Sequence, residues 1–239
     1  MENVVAIIPA AGSGKRMQKG VNKQFLEIGG QTVIERTLGA FQNADRVNRV
    51  IVVTKKEEIE SVKAIAQTCG FTKVKSIVQG GTERQDSIYQ GLKETTDQDR
   101  WILVHDGARP FITSAGINEM VENLVSRNRD KSVYDTESLI LAVPSKDTIK
   151  RVKDQCVTDT LNRAELWNVQ TPQGFSREVL IQAYEQAKDK GFKGTDDASL
   201  VEWAGHKVFV HVGSYENIKI TTPDDLYLGE AILKKRGAL

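Results

Sequence analysis

A chain of 239 residues is long enough to bury a substantial core, as one large domain or two small ones. Its 33 Lys and Arg against 32 Asp and Glu leave a formal net charge of +1, so it lacks the global basic field of a nucleic-acid binder. With 39% hydrophobic residues and no apolar stretch near the ~18 residues of a membrane span, it has an ordinary globular make-up.

The N-terminus has no charged-then-apolar export layout, and Cys69 and Cys156 lack metal-ligand spacing. The expectation is a cytoplasmic protein with two reduced thiols, and with no membrane or nucleic-acid partner. Any anionic ligand must then be held by local clusters of charge.

Val4 to Pro9 reads as a buried strand that stops at a small, basic loop containing Gly12, Gly14, Lys15 and Arg16, with Lys23-Gln24 shortly after. Phe25 to Ile28 predicts a short extended piece closed by Gly29-Gly30. Thr32 and Glu35 fit a capping box for a helix with Ile34, Leu38 and Phe41 on one face. Val50 to Val53 is a second strand. A helix over about 56 to 69 is expected to bury Ile59, Val62, Ile65 and Cys69 before Gly70. Val74 to Val78 forms a third strand, and Thr82 with Gln85 suggests another capping box, for a helix turning Ile88 and Leu92 inward. Trp101 to His105 is a fourth strand, followed by a helix from about Ser114 that buries Ile117, Met120, Val121 and Leu124. Strand and helix alternate throughout, which predicts a parallel sheet covered on both faces.

That rhythm breaks near residue 138. Leu139 to Val143 is a strand, but Asp147 to Val152 and Cys156 to Leu161 alternate around a polar Lys153-Asp154 turn, as in a projecting β-hairpin. A hairpin alone is marginal in water, so this arm should pack on something, such as another subunit. Leu166 to Val169 resumes the α/β pattern, with helices from Ser176 through Ala187 and from Asp197 to Ala204. Val208 to Val212 and Ile218 to Thr221 read as late strands. Thr222-Pro223-Asp224-Asp225 starts a last helix, whose negative end suits Lys234-Lys235-Arg236.

Glycines bring backbone close to a ligand, successive N–H groups can cradle phosphate oxygens, and Lys15, Arg16 and Lys23 add positive charge. Two common phosphate motifs nonetheless fail. A Walker A loop placed on Gly14-Lys15 would need Gly at position 9 and Ser or Thr at 16, where Pro9 and Arg16 stand. A dinucleotide fingerprint on Gly12 and Gly14 meets Met17 in place of its third glycine, and the second strand ends in Thr54-Lys55 rather than an acidic residue.

What stands instead is PAAGSGKRM (9–17), GGTERQDS (80–87), VHDGARPF (104–111), KDTIK (146–150), NRAELWNVQTPQGF (162–175), GTDDAS (194–199) and NIKITTPDDL (217–226). In this order and over nearly the whole chain, the sequence resembles the 2-C-methyl-D-erythritol 4-phosphate cytidylyltransferase family of the non-mevalonate isoprenoid pathway. The resemblance implies a single Rossmann-like α/β nucleotidyltransferase domain over 1–239. Its mostly parallel, mixed sheet would be flanked by helices, and a β-arm at about 144–163 would be used in homodimerisation. The implied reaction joins CTP to a small sugar-alcohol phosphate with Mg²⁺ as cofactor and releases pyrophosphate.

Carried over by resemblance, Arg16, Lys23, Arg163 and Lys219 would be catalytic. Pro9, Ala10, Ala11, Gly12, Gly14, Lys15, Gly81, Thr82, Arg84, Ser87 and Gly107 would bind the nucleotide. Asp106, Arg109, Thr148, Arg163, Thr171 and Lys219 would bind the acceptor, with Thr148 and Arg163 reaching the neighbouring subunit. Asp106 would also lie near the metal, which the nucleotide phosphates mainly hold. Each has a blander reading: Lys219 as an outward residue of a strand, Thr82 as a helix cap, and Asp106 as a surface turn aspartate. Asp196-Asp197 is expected to cap a helix rather than hold a metal, and His105, His206 and His211 are expected to be structural.

Two departures from the family pattern stand out. Thr82 occupies a place where relatives often have Asp, and Asp135 to Ser138 is polar and acidic where they have small residues. Alternatives of different classes are a ribitol-5-phosphate cytidylyltransferase and a non-catalytic nucleotide-binding regulator on the same scaffold.

Overall fold

The computed structural model describes residues 2–12, 22–129 and 137–239. Val4–Pro9 forms β1, and the two short strands β2 (Glu27–Ile28) and β3 (Gln31–Thr32) make a hairpin around Gly29-Gly30. There follow α1 (Val33–Gln42), β4 (Arg49–Thr54), α2 (Ile59–Thr68), β5 (Val74–Gln79), α3 (Arg84–Lys93), β6 (Trp101–Val104) and α4 (Ser114–Arg129). The second half carries β7 (Ser138–Pro144), β8 (Lys150–Lys153), β9 (Cys156–Thr160), β10 (Trp167–Ser176), α5 (Arg177–Lys190), α6 (Asp197–Trp203), β11 (Phe209–Val212) and α7 (Asp224–Lys235).

Among the described residues a seven-stranded sheet runs in the order β11-β7-β10-β6-β1-β4-β5. Every pairing is parallel except those of β10, which is antiparallel to both β6 and β7. The mostly parallel, mixed sheet is therefore as the sequence predicts. β1 lies inside the sheet between β6 and β4, and its alternation divides the core. Val4, Ala6 and Ile8 face a cluster built with α1, α2 and α4; Val5 and Ile7 face another built with α3, α5 and α6. A smaller third cluster seats α7 through Ile232 and Leu233 against Ile28, Phe111 and Ile220.

Local signals in the sequence match closely in several places. Thr32 caps α1, its hydroxyl accepting from the Glu35 N–H while the Glu35 carboxylate accepts from the Thr32 N–H. Ile34, Leu38 and Phe41 are all buried, as are Ile88, Leu92, Ile117, Met120, Val121 and Leu124. Asp225 anchors the start of α7 by accepting from the N–H and hydroxyl groups of both Thr221 and Thr222.

Other expectations are corrected. Of the residues expected to be buried by the second helix, only Val62 is; Cys69 is exposed, because α2 covers the outer margin of the sheet beside β5. The cap of α3 is Glu83 with Asp86 rather than Thr82 with Gln85. Asp86 accepts from the Glu83 N–H and the Thr82 hydroxyl, while Gln85 bonds Phe192 and Gly194 of a distant loop.

In the arm, the turn falls on Asp154 and Gln155, whose φ angles of 49° and 61° give the left-handed pair that two-residue hairpins favour. β10 continues well past Val169 to Ser176, hidden in the sequence by Pro172 and Gly174 and by a shift of register between Val169 and Gln173. Ile218 to Thr221 forms no ladder; its backbone link to the core is Ile220 N–H to the Ala108 carbonyl. Asp135 and Thr136 of the expected polar segment lie outside the described residues, but Ser138 within it is buried and pairs with Phe175.

The end of β6 is locked by His105, which is fully buried and packs at 5.1 Å from the Phe41 ring. One proton arrangement satisfies its surroundings: Nε2–H donates to the Arg109 carbonyl, Nδ1 accepts from the Thr171 hydroxyl, and that oxygen accepts from the Asp106 N–H. Burial pushes the imidazole down to about 4, and a second proton would take the place of the Thr171 bond. A folded-state value below the unfolded one means that the unfolded chain binds more protons in between. Stability should therefore fall as pH drops through about 6.5, by up to about 3 kcal/mol near pH 4. Denaturant titrations across that range should show this slope, and His105→Gln should be less stable at neutral pH but lose it.

Candidate nucleotidyl-transfer site

Because β1, β4, β5 and β6 are parallel, their carboxyl ends open on one edge of the sheet, the usual crevice of such folds. There lies a cavity of about 520 Å³. Its lining includes Ala11 and Gly12, then Gly80, Gly81 and Thr82, together with Lys23 and Lys219. A smaller cavity of about 330 Å³ adjoins it, lined by Arg109, Thr171 and Gln173 among others. Arg84, Asp106 and Lys219 line both, forming the wall where two ligands would meet.

The backbone of the large cavity is built for close approach. A Cβ on Gly81 would sit 2.3 Å from the Asp86 Cβ, so no other residue fits without moving α3. In front of Gly12 a Cβ would meet no atom of the described residues within 4 Å. The Ala10 N–H is committed to the Val53 carbonyl, and Gly107 donates to the Pro9 carbonyl and accepts from Thr37. Ala11 and Gly12, rather than Ala10, therefore face the cavity after Pro9, and Asp106 and Ala108 line it rather than Gly107. Ser87 is buried, with its hydroxyl accepting from the Gly81 N–H, which fixes this loop. The Thr82 hydroxyl is held by Asp86 at 2.8 Å, so the side chain at this departure from the family pattern braces its own helix.

Lys23 sits in a single 3₁₀ turn whose Asn22 cap also binds Glu58, itself bonded to Thr54 at the end of β4. That scaffold leaves the lysine only 9% exposed, with Nζ donating to the Ile220 carbonyl at 3.0 Å. Gly14, Lys15 and Arg16 lie outside the described residues.

Asp106 is the electrostatic centre. It is 8% exposed, and Lys219 Nζ lies 2.6 Å from Oδ2, Arg84 Nε 3.3 Å from Oδ1 and Arg109 Nε 3.9 Å from Oδ2. Burial alone would raise this carboxyl, but Arg84, Lys219 and Arg109 together hold it well below the usual carboxylate range. Lys219 thus points inward to Asp106, and Asp106 is not a surface turn residue. Burial lowers Arg109, with Asp106 opposing; it would also lower Arg84, but Asp197 and Asp106 overcome it and raise that guanidinium.

Asp196 caps α6, accepting from the Ser199 N–H, and Asp197 accepts from Arg84 and Tyr184, so the pair divides into a cap and a core ion pair. Among the described residues, no group of three or more His, Cys, Asp or Glu could hold a metal on its own. Mg²⁺ commonly takes one or two carboxylates plus substrate phosphates, and a single Asp106 carboxylate at the cavity wall suits that mode. Thr148 and Arg163 line neither cavity; both are exposed at the root of the arm, where Arg163 Nη1 donates to the Lys146 carbonyl.

Sequence reasoning missed Lys55, Lys56, Gln79 and Gln24 in the large cavity, and Gln173 and Asp196 in the small one. Lys55 and Lys56 directly follow a parallel strand, the position where the crevice rule could have found them. Tyr184 carries no sequence signal, because it lies at a helical position indistinguishable from core.

Chemically, the site offers two adjoining cavities, a shared wall of fixed charge and several lining cations, with no nucleophile–base pair among the described residues. This suits the joining of two anions. No helix among the described residues is long and apolar enough to cross a membrane.

The sequence model of IspD: 2-C-methyl-D-erythritol 4-phosphate cytidylyltransferase matches residues 4–235. Among named relatives, the 2-C-methyl-D-erythritol 4-phosphate cytidylyltransferase of Halalkalibacterium halodurans is 46% identical over 230 residues, covering 96% of each chain. That of Bacillus licheniformis is 46% identical over 232 residues, covering 97% of this chain and 96% of its own. The crystal structure of 4-diphosphocytidyl-2C-methyl-D-erythritol synthase from Anaerococcus prevotii superposes with a TM-score of 0.84 at 33% identity, covering 98% of this chain and 96% of that one. With the fold, the crevice and these matches in agreement, the chain belongs to the 2-C-methyl-D-erythritol 4-phosphate cytidylyltransferase family.

Proposed function

We propose that this chain transfers the cytidylyl group of CTP to 2-C-methyl-D-erythritol 4-phosphate, giving 4-diphosphocytidyl-2-C-methyl-D-erythritol and pyrophosphate. The observation that carries the reading is the pair of cavities meeting at Arg84, Asp106 and Lys219. CTP would occupy the larger and the acceptor the smaller. An acceptor phosphate oxygen then bonds to the α-phosphorus as the bond to pyrophosphate breaks. That phosphate is already ionised near neutral pH, so no side chain needs to take a proton. The protein must align two anions and offset the charge that grows on the α-phosphoryl group and the leaving group.

Lys23, seated beside the Ile220 carbonyl, is suited to meet the α-phosphate, with Arg16 as its partner by resemblance. Ala11, Gly12 and Gly81 would carry the nucleotide backbone contacts, and Ser87 holds the Gly81 loop. Asp106 would hold acceptor hydroxyls, with Lys219 and Arg109 balancing its charge and Thr171 alongside. Mg²⁺, carried mainly on the triphosphate and touching Asp106, would supply further charge neutralisation.

A homodimer formed through the arm is part of this reading. Every residue of β8 and β9 is exposed, among the described residues these strands pair only with each other, and Val152 and Val157 stand bare at 57% and 55% exposure. Thr148 and Arg163 would then reach the acceptor phosphate in the partner's smaller cavity.

Pyrophosphate release from CTP and Mg²⁺ tests the substrate, with methylerythritol phosphate expected to outpace ribitol 5-phosphate; the reverse order would overturn it, and no release with either would favour a regulator. Lys23→Ala and Arg16→Ala should each lower kcat by about 10²–10³ with the fold intact, as for loss of a transition-state donor. Steady-state kinetics of Arg163→Ala should show a far larger rise in KM for the acceptor than for CTP; equal rises would remove that residue from the acceptor site.

A further inference from the structure

Asp197, the first residue of α6, has no exposed surface and lines neither cavity. Its two oxygens serve different partners. Oδ2 accepts from Arg84 Nη2 at 2.8 Å, and Oδ1 accepts from the Tyr184 hydroxyl. Arg84 turns its Nε edge the other way, toward Asp106. The guanidinium is therefore stretched between two carboxylates, one in the catalytic wall and one in the core. Tyr184 is itself held fast: it is 2% exposed, and its ring stacks on Tyr89 with centroids 6.3 Å apart and planes 11° from parallel. Burial and the neighbouring Asp197 push its phenol upward, so it remains a donor at neutral pH.

We propose that Tyr184 and Asp197 are positioning residues that orient Arg84 for both substrates without touching either one. This rests on the reading of Arg84 as a nucleotide-binding residue. A single contact through Nε leaves a guanidinium free to swing, whereas a second through Nη2 fixes its plane. The hydroxyl of Tyr184 governs how strongly Asp197 pulls. With that donor removed, Oδ1 is left in a dry environment, and the carboxylate must draw more on Arg84. The guanidinium then moves away from Asp106 and from the wall between the cavities.

The competing explanation is that the hydroxyl only satisfies a buried carboxylate and so steadies the fold. A double-mutant cycle separates the two. Pyrophosphate release from CTP, Mg²⁺ and methylerythritol phosphate is measured for Tyr184→Phe, Arg84→Gln and the double variant, with thermal unfolding followed in parallel. Tyr184→Phe keeps the ring and its stacking, and should lower kcat/KM for CTP about tenfold, within the range of a misplaced catalytic contact. The same change made on Arg84→Gln should cost less than about twofold, because its effect passes through the guanidinium. Asp197→Asn should behave like Tyr184→Phe in both backgrounds.

Equal losses in both backgrounds would overturn the proposal, as would unchanged kinetics in Tyr184→Phe. A Tyr184→Phe protein that failed to fold would also overturn it, by making the hydroxyl a requirement of stability. If Arg84→Gln is itself fully active, the role given to Arg84 fails and the proposal with it. If Arg84→Gln is slow but Tyr184→Phe is normal, the role of Arg84 stands and only the positioning claim falls.

Discussion

The structure depends on one electrostatic constraint: a carboxylate, Asp106, is kept ionised at the floor of a crevice where little water reaches it. A buried charge is costly unless it is paired with good geometry. Arg109 comes from the same loop after β6 as Asp106 itself, whereas Arg84 comes from α3 and Lys219 from the segment before α7. Arg109 lies only three residues from Asp106, but Arg84 is 22 residues away and Lys219 113, so those two contacts form only when the sheet is assembled. The cluster therefore ties together elements that hydrophobic packing alone would leave free to slide.

The same cluster sets the electrical character of the site. Counting Asp197 with it, two carboxylates face three cations, so the wall between the cavities carries an excess of positive charge. With Lys23 nearby, an arriving phosphate meets positive charge whose position is already fixed by carboxylates and carbonyls. Such preorganisation is worth more than the same charges on flexible surface side chains, because little reorientation remains to be done during reaction. Exposed surface pairs such as Arg46–Glu122 and Lys63–Glu60 have no comparable role; being screened by water, they are worth little.

How much of this was legible in the sequence follows from how local each signal is. The Thr32–Glu35 box, the apolar face of α1 and the central strands are written within a few residues, and they were readable. The cap at Glu83 was misplaced by one residue, since Thr82, Glu83, Gln85 and Asp86 all carry capping groups and only tertiary contacts select among them. The second half of β10 was invisible for another reason: Thr171, Pro172 and Gln173 belong to the site, and their identities answer to His105, Asp106 and Asp196 rather than to strand periodicity. Lys219 shows both effects. Its alternation with Ile218 and Ile220 reflects real burial of Ile220, yet there is no ladder, and the lysine points inward.

The one reversed strand explains how the arm and the crevice come to share an edge. Since the strands around β10 run parallel to one another, β7 ends at the same edge as β6 and β1, and Trp167 of β10 pairs with Pro144 there. The chain between them, including β8 and β9, must therefore leave the sheet on the side of the cavities. Its root is held by Tyr215, whose hydroxyl bonds the Pro144 carbonyl and whose ring lies 3.6 Å from Lys146 Nζ. Running back, β10 breaks register between Val169 and Gln173, and there Thr171 turns toward His105 and Asp106. A parallel strand in this place would need a crossover connection between its neighbours and would enter the sheet from the opposite edge. The antiparallel turn instead lets one short stretch of sequence supply both an acceptor-side wall and a projection aimed outward from it. An arm rooted at the other end of these strands would leave the sheet away from the cavities.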